Sequence, residues 1–249
     1  VRYRVPVAGL ERPVRIVQLT DIHFSWVDMP PVRLRRIIAT VNAMRPDLVV
    51  MTGDFAGAKL VDWPHIRLED ALYPLGELRA PLGVYATPGN HDQPYWIRRV
   101  FARTPVRLLA GQGADVGPFT LVGVDDLILG QQPVQGLRAA VAAAVPGKPV
   151  IVAAHEPDFL QYMPPGVSVF IAGHTHGGQI APFGLTILEG LYRHYRRGVY
   201  RVRDFSMVAG SGLGTTGVPL RIGVPPELVE ITLVPAPPHS AGRNSGTER

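Results

Sequence analysis

The segment FIAGHTHGG, residues 170–178, places two histidines one residue apart between an apolar run and two glycines. Five of the eight histidines in the chain follow apolar runs in this way. Imidazole, carboxylate and carboxamide groups bind ions such as Mn²⁺, Fe and Zn²⁺. The chain has no cysteine, which excludes thiolate ligands and cysteine nucleophiles. These residue types and spacings therefore predict a metal site built from histidine, aspartate and asparagine.

The elements that must position these side chains are strands alternating with helices. Short apolar, β-branched runs predict buried strands. The predicted strands are residues 14–20, 47–53, 82–89, 119–125, 149–154, 168–173 and 228–234. Apolar residues at helical spacing predict helices over residues 30–46, 68–80 and 134–145, the first with a face formed by Val32, Ile37, Ile38 and Val41. This alternation indicates an α/β fold with parallel strands, in which ligands collect beyond the carboxyl ends of the strands.

Five strand ends carry side chains that can bind a metal. The candidate ligands are Asp21, His23, Asp54, Asn90, His155, His174 and His176. Residues i and i+2 of a departing strand project to the same side, so DIH and HTH can each direct two side chains into one site. Seven ligands are too many for one ion and suit two ions that share a carboxylate. We predict two divalent ions, Mn²⁺ as the first choice with Fe or Zn²⁺ as alternatives, and one histidine of HTH on each ion.

In this order, the motifs D-x-H, G-D, G-N-H-D, H and G-H-T-H resemble the calcineurin-like metallophosphoesterase superfamily, over about residues 14 to 234. The resemblance implies a four-layer α/β/β/α sandwich with two central sheets. It implies a first ion held by Asp21, His23, Asp54 and His176. It implies a second ion held by Asp54, Asn90, His155 and His174, with Asp54 bridging. His91 is then the catalytic, non-ligand histidine beside the substrate phosphate.

One position departs from the superfamily pattern. Its second motif is usually G-D-x-x-D, whose last aspartate orients the catalytic histidine, whereas this chain has GDFAG with Gly57 at that position. The imidazole of His91 is then oriented by Asp92, by another carboxylate or by backbone.

The predicted reaction is hydrolysis of a phosphodiester or pyrophosphate bond by a metal-bridging hydroxide. The segment 210–233 and GHTHGGQI resemble a bacterial branch of small phosphodiesterases. That branch includes membrane-associated enzymes and pyrophosphatases that act on a UDP-linked diacylglucosamine, which implies a lipid-linked or nucleotide-sugar substrate. A phosphomonoesterase of the protein-phosphatase kind and a non-catalytic metal-binding scaffold are the alternatives.

The segment LYRHYRRG, residues 191–198, gathers Arg193, Arg196 and Arg197 among aromatic residues. It is either an exposed basic turn or a contact for a substrate phosphate or an anionic membrane surface. The net charge of +5 rests almost wholly on arginine, since only Lys59 and Lys148 are lysines. Because this charge is spread along the chain, it does not predict nucleic-acid binding.

The domain is predicted to span residues 1–234, followed by a disordered tail of Pro-, Gly- and Ser-rich sequence over residues 235–249. No run of about 18 consecutive apolar residues is present, so the sequence predicts no membrane span. A chain that starts at Val1 rather than at a methionine favours an upstream leader or anchor. The expected location is peripheral to a bacterial membrane.

Overall fold

Two six-stranded sheets form the centre of the protein in a computed structural model that describes residues 1–57, 71–184 and 194–236. In order, the first sheet contains β1 (Arg2–Val7), β12 (Val229–Pro235), β2 (Val14–Leu19), β3 (Leu48–Thr52), β4 (Val84–Thr87) and β5 (Arg107–Leu108). The second contains β10 (Gly198–Val202), β11 (Phe205–Ala209), β9 (Val167–Ala172), β8 (Val150–Ala153), β7 (Thr120–Gly123) and β6 (Gln112–Asp115).

Four neighbouring strands in each sheet run parallel, β2 to β5 in the first and β7, β8, β9 and β11 in the second. Their carboxyl ends come together at one edge of the molecule. The Gln18 side chain shows this directly, because it donates across the two sheets to the Ala172 carbonyl at 2.8 Å and to Thr52 Oγ1 at 2.9 Å. Loops that leave either sheet therefore meet at this edge, which we call the carboxyl edge.

Three apolar clusters give the protein four layers. One cluster lies between the sheets, one lies between the first sheet and helices α1 (Pro31–Met44) and α2 (Pro94–Phe101), and one lies between the second sheet and α3 (Pro133–Ala142). Strand β2 shows how the sequence builds them, since Ile16 faces the other sheet and Val17 faces the helices. A strand covered on both faces reads as a continuous apolar run. The predicted α/β/β/α sandwich is thus confirmed.

Some predicted elements differ from the observed ones. Helix α1 buries Leu34, Ile38 and Val41, whereas Val32 is 57% exposed, so the prediction that Val32 belongs to the buried face was wrong. Within the predicted helix 68–80, residues 71–72 are α-helical and lead into a 3₁₀ helix over Tyr73–Glu77, which contains a proline and a glycine. Residues 68–70 lie outside the described chain.

The two ends of the domain pair with each other through β1, a strand that the sequence pattern did not predict. β1 pairs in parallel with β12, and Ala236 donates its N–H to the Val7 carbonyl at 3.0 Å. The final strand therefore includes Pro235, one residue beyond the predicted domain end. The rest of the predicted tail, residues 237–249, lies outside the described chain. Among the described residues, no helix combines the length and the apolar character needed to cross a bilayer.

Candidate metal centre

The loops that leave the strands at the carboxyl edge adopt an uncommon backbone conformation. Five of the seven candidate ligands have φ angles between +43° and +70°, namely Asp21, His23, Asp54, His174 and His176. Residues other than glycine rarely occupy this left-handed region, and when they do they cluster at functional sites. Hydrogen bonds between loops hold the conformation, with Asp21 N–H donating to the Gly53 carbonyl at 3.1 Å and His23 N–H to the Asp54 carbonyl at 2.9 Å.

Two glycines allow these loops to pack against one another. A Cβ on Gly89 would lie 2.4 Å from Asp54 Oδ1, and a Cβ on Gly173 would lie 1.8 Å from Thr20 Oγ1. Both distances are far below van der Waals contact, so a side chain at either position would push apart the loops that carry the candidate ligands.

Asp21, His23 and His176 form the first group of candidate ligands, and all three are buried. His176 Nε2 lies 3.0 Å from His23 Nε2 and 3.3 Å from Asp21 Oδ1. His23 Nδ1 lies 3.0 Å from the Ala56 carbonyl, which can only accept, so this nitrogen carries the proton. The Nε2 lone pair of His23 is thereby directed into the group.

Asp54, His155 and His174 form the second group. His155 Nε2 lies 3.1 Å from His174 Nδ1 and 3.1 Å from Asn90 Oδ1. The His155 Nδ1 proton is directed to the Thr52 carbonyl at 2.8 Å, which leaves the Nε2 lone pair facing the group. The two histidines of HTH therefore lie in different groups.

Asp54 lies between the two groups. Its Oδ2 is 3.3 Å from His23 Nε2 in the first group and 3.2 Å from His155 Nε2 in the second. Its Oδ1 accepts the N–H of His91 at 2.9 Å, which fixes the carboxylate plane. Asp54 Oδ2 is thus placed where it could bind an ion held by either group.

The donor set fits divalent cations. The Nε2 lone pairs of His23 and His155 each face another ring nitrogen at hydrogen-bond distance, so a proton or a bound cation must lie between the two nitrogens of each pair. Asp21 Oδ1 is buried and has no hydrogen-bond partner. Two ligands at about 2.1 Å from one ion and at a right angle lie about 3.0 Å apart. The observed contacts of 3.0–3.3 Å match this spacing.

The electrostatics favour ionised Asp21 and Asp54 and a neutral His174, whereas His155 would have to release a proton when an ion binds. Burial opposes charge on Asp54 and His155, but their mutual attraction outweighs it and holds the pKa of Asp54 well below its usual value and that of His155 well above. The pKa of Asp21 is likewise lowered, because His176 outweighs the effect of burial. Burial, together with the charge of His155, lowers the pKa of His174 to about 4. Ionised aspartates and a neutral His174 are ready for a metal.

His91 lies beside the groups without belonging to either. Its side chain is exposed, and its ring meets the His23 ring edge-on, with the ring centroids 5.3 Å apart. Asp92 is buried and accepts backbone N–H groups from Phe55 and Ala56 on Oδ1, at 2.9 and 3.0 Å, and from Gly89 on Oδ2 at 3.0 Å. Asp92 thus ties together the loops after β3 and β4, which carry Asp54 and His91.

Arg221 is a contributor that the sequence pattern did not reveal. Its guanidinium donates to the carbonyls of His176 at 3.2 Å and Ser211 at 2.8 Å, and it lies 3.3 Å from His176 Nδ1. Its Nε donates to the Gly214 carbonyl at 2.9 Å. The half-buried guanidinium of Arg221 therefore helps to hold the HTH turn in place. The local sequence RIG, residues 221–223, gives no signal of this role.

Glu156 follows candidate ligand His155 and is buried beside Asp126 of the GVDD segment. Burial and Asp126 raise the pKa of Glu156 to about 9. Glu156 Oε1 accepts the Leu127 N–H at 3.2 Å, and Asp126 Oδ1 accepts the Ile128 N–H at 2.9 Å. These two carboxyl groups fix the loop after β7 against the end of β8.

The structure describes two of the three arginines that the sequence predicts to contact a phosphate or a membrane surface, Arg196 and Arg197. Arg193 lies outside the described chain. The Arg196 carbonyl accepts the hydroxyl of Thr175, the middle residue of HTH, at 2.6 Å. Arg196 and Arg197 line a cavity of about 410 Å³ together with Gly177. The segment therefore packs against the candidate metal centre, and its contact with a phosphate stays a prediction.

Comparisons with known proteins agree with this geometry. The calcineurin-like phosphoesterase family matches residues 14–178. The chain is 33% identical over 258 residues to a transmembrane protein with metallophosphoesterase domain from Danio rerio, covering 94% of this chain and 56% of that protein. It is 32% identical over 238 residues to an uncharacterised metallophosphoesterase of Bacillus subtilis, covering 88% and 78%. The chain spans 56–61% of the length of the first curated relatives that it matches.

A solved structure shares the fold. The sulfate thiohydrolase SoxB of Thermus thermophilus, in complex with glycerol, superimposes with a TM-score of 0.50 at 12% identity, covering 88% of this chain and 56% of that one. The two groups of histidine and aspartate at the carboxyl edge are candidate sites for two divalent ions. This chain belongs to the calcineurin-like phosphoesterase family. The narrower resemblance to a bacterial phosphodiesterase branch stays a prediction.

Proposed function

We propose that this chain hydrolyses a phosphodiester bond at two divalent ions, held by Asp21, His23 and His176 on one side and by Asn90, His155 and His174 on the other. The observation that carries the proposal is the position of Asp54 Oδ2, which is 3.3 and 3.2 Å from ring nitrogens of the two groups. Bound divalent ions supply a neutral-pH nucleophile from water and stabilise charge on phosphoryl oxygens. Mn²⁺ is the proposed ion, with Fe and Zn²⁺ as alternatives, because the site offers imidazole nitrogen and carboxylate oxygen donors without sulfur.

The chain's own residues have distinct proposed tasks. Asp54 holds the two groups in register, while Asp92 and Arg221 fix the loops that carry the ligands. His91 extends its exposed ring beside His23, where it can contact a phosphoryl oxygen and protonate the leaving oxygen. The site is buried on the side of the sheets, so the substrate phosphate enters from the loop side.

A diester carries two organic groups on its phosphate, whereas a monoester carries one. We favour the diester because the surroundings of the centre can contact both groups. Segments that follow the candidate ligands carry exposed apolar side chains, with Tyr95 and Trp96 at the start of α2 after His91 and Phe183 after His176. These surfaces support contact with two substituents. A peptide phosphomonoester would be better served by polar groups at these positions.

The test compares a diester with a monoester. The metal-stripped chain should be inactive, and after loading with Mn²⁺ it should bind two ions per chain and hydrolyse bis(4-nitrophenyl) phosphate. We expect kcat/KM for this diester to exceed that for 4-nitrophenyl phosphate by at least about tenfold. A preference for the monoester would favour a phosphomonoesterase. Two bound ions without hydrolysis of either compound would favour a non-catalytic scaffold.

A pyrophosphate bond is the second candidate, favoured by the cavity that Arg196 and Arg197 line beside the HTH turn. A second phosphate in this cavity would gain charge-assisted hydrogen bonds from arginine. The Arg197→Ser variant is therefore expected to raise KM for UDP-glucose hydrolysis about tenfold, and more than it raises KM for bis(4-nitrophenyl) phosphate. The matched control is Arg201→Ser, at an exposed arginine on β10. Equal effects of the two variants on UDP-glucose would remove the arginine contact from the proposal.

A further inference from the structure

The exposed large hydrophobic side chains of the described residues collect at the carboxyl edge. We call ten of them the apolar rim: Trp26, Val27, Tyr95, Trp96, Ile128, Leu129, Phe183, Val218, Leu220 and Ile222. They lie on the segments that follow β2, β4, β7, β9 and β11, which surround the candidate metal centre. The other three adjoin the same edge, since Val32 is in the first turn of α1, Val1 pairs beside β12 where β12 begins, and Val199 lies opposite Val208 near the end of β11.

Hydrogen bonds hold the rim segments in place. Gln179, three residues after the HTH turn, donates from Nε2 to the carbonyls of Thr216 and Val218 at 3.0 and 3.1 Å, and its own carbonyl accepts the Ile222 N–H at 3.0 Å. The Thr215 hydroxyl donates to Asp28 Oδ2 at 2.7 Å, which links this segment to the loop that carries Trp26. The exposure of these side chains is therefore a property of ordered loops.

On the opposite side of the centre, the rim is anchored in a different way. Asp126 and Glu156 fix the backbone that carries Ile128 and Leu129. The Phe183 ring is fully exposed, on a backbone with φ of +53°. Apolar side chains thus stand on both sides of the polar centre.

The fully exposed carboxylates of the described residues lie away from the apolar rim. The described rim segments carry no fully exposed carboxylate, whereas Glu11, Asp115 and Asp204 are exposed and stand just before β2, β7 and β11, at the opposite edge. The fourth exposed carboxylate, Glu77, pairs with Arg35 on α1. Within the described chain, the carboxylates of the rim segments, such as Asp28 and Asp125, are therefore at most half-exposed, and the fully exposed ones lie elsewhere.

Arginine accompanies the rim aromatics. The Arg99 guanidinium lies over the Trp96 ring at 5.9 Å and within 3.3 Å of the Tyr95 hydroxyl, while Arg197 is exposed beside the HTH turn. Tryptophan and tyrosine are enriched where a bilayer meets water, and basic residues there bind anionic headgroups. Apolar tips around a polar, cation-binding centre suit a surface of phosphate headgroups over hydrocarbon.

We propose that the apolar rim docks this domain on an anionic phospholipid bilayer with the metal centre facing the headgroup layer. Docked in this way, the centre meets phosphate groups at the depth where interfacial aromatic residues reside. The consequence that the substrate is a lipid-borne phosphodiester or pyrophosphate rests on the proposed function, whereas the docking itself does not.

The test measures binding of the Mn²⁺-loaded chain, freed of excess ion, to vesicles of equal parts phosphatidylglycerol and phosphatidylcholine and to vesicles of phosphatidylcholine alone. We expect sedimentation with the anionic vesicles at least about tenfold stronger than with the neutral ones. Brominated acyl chains in the anionic vesicles are expected to quench tryptophan fluorescence. The Trp96→Ser/Phe183→Ser variant is expected to bind the anionic vesicles at least about tenfold more weakly.

The matched control is Arg12→Ser/Arg203→Ser, which removes two exposed positive charges at the opposite edge and should bind like the unaltered chain. Weakening by the arginine variant with no weakening by Trp96→Ser/Phe183→Ser would show general attraction to net charge and overturn the docking. If the unaltered chain does not bind vesicles and forms a concentration-dependent dimer in light scattering, the rim would instead be a contact surface for a second copy of the chain. Diester hydrolysis by the same preparation without vesicles is measured in parallel, so absence of docking and absence of phosphodiesterase activity are separate results.

Discussion

Replacement of Asp54 by asparagine is expected to lower kcat for diester hydrolysis by at least about a thousandfold and to reduce the metal content from two ions per chain to one or none. The physical reason is the shared position of Oδ2, which lies 3.3 and 3.2 Å from the His23 and His155 nitrogens. A neutral amide removes the negative charge between the two groups. If its nitrogen takes the place of Oδ2, it offers protons where the ions need a lone pair.

Metal analysis of the purified variant and steady-state kinetics with added Mn²⁺ measure the effect. Asp28→Asn is the matched control, because Asp28 belongs to the loop after β2 and bonds Ser25 and Thr215 outside both ligand groups. It should keep two ions. An Asp54→Asn chain that retains two ions and kcat within tenfold of the unaltered chain would contradict the bridging role.

The candidate centre was largely predictable because it depends on topology. Parallel strands bring their carboxyl ends to one edge, so polar residues placed after apolar runs meet in space whatever the loops do. The structure also places His174 and His176 in different groups, and their binding of different ions stays a prediction. The alternation of side chains along a strand does not by itself explain how D-x-H places two ligands in one group. Asp21 and His23 reach one site through left-handed backbone rather than through the alternation of an extended strand.

Other features could not be predicted, because they depend on partners that are remote in sequence. The orientation of the His155 ring is set by the Thr52 carbonyl, 103 residues away, and that of His23 by the Ala56 carbonyl. Strand β1 carries arginine and proline and has its hydrogen-bonding partner, β12, at the far end of the chain. Local pattern gives no signal for such pairings, since the register is chosen by burial of one face in the assembled sheet.

Asp92 illustrates the same limit at the site itself. The chain has Gly57 at the position of the usual orienting aspartate, and the sequence offers Asp92 as one candidate for that role. The structure instead directs its carboxylate to backbone amides of the loops after β3 and β4. A carboxylate that is recognisable in the sequence can therefore support the site through its loops, and only the fold shows which atoms it contacts.

Replacement of His91 by alanine is expected to leave two ions bound and to lower kcat by about a hundredfold to ten-thousandfold. His91 lies outside both ligand groups, and its exposed ring is held near His23, with the ring centroids 5.3 Å apart. Its backbone N–H, which bonds Asp54 Oδ1 at 2.9 Å, survives the substitution. The variant should therefore separate the imidazole's chemistry from the integrity of the centre. By contrast, His23→Ala removes a member of the first group and should lose metal.

The role of the His91 imidazole can be resolved by varying the leaving group. A group that protonates the leaving oxygen matters little for 4-nitrophenolate, which departs readily as an anion, and much for phenolate. We therefore expect the kcat loss in His91→Ala to be larger for diphenyl phosphate than for bis(4-nitrophenyl) phosphate. An equal loss for both would assign His91 to stabilising charge on the phosphoryl oxygens instead of proton transfer. An unchanged kcat for both, with two ions present, would show that His91 has no part in the reaction.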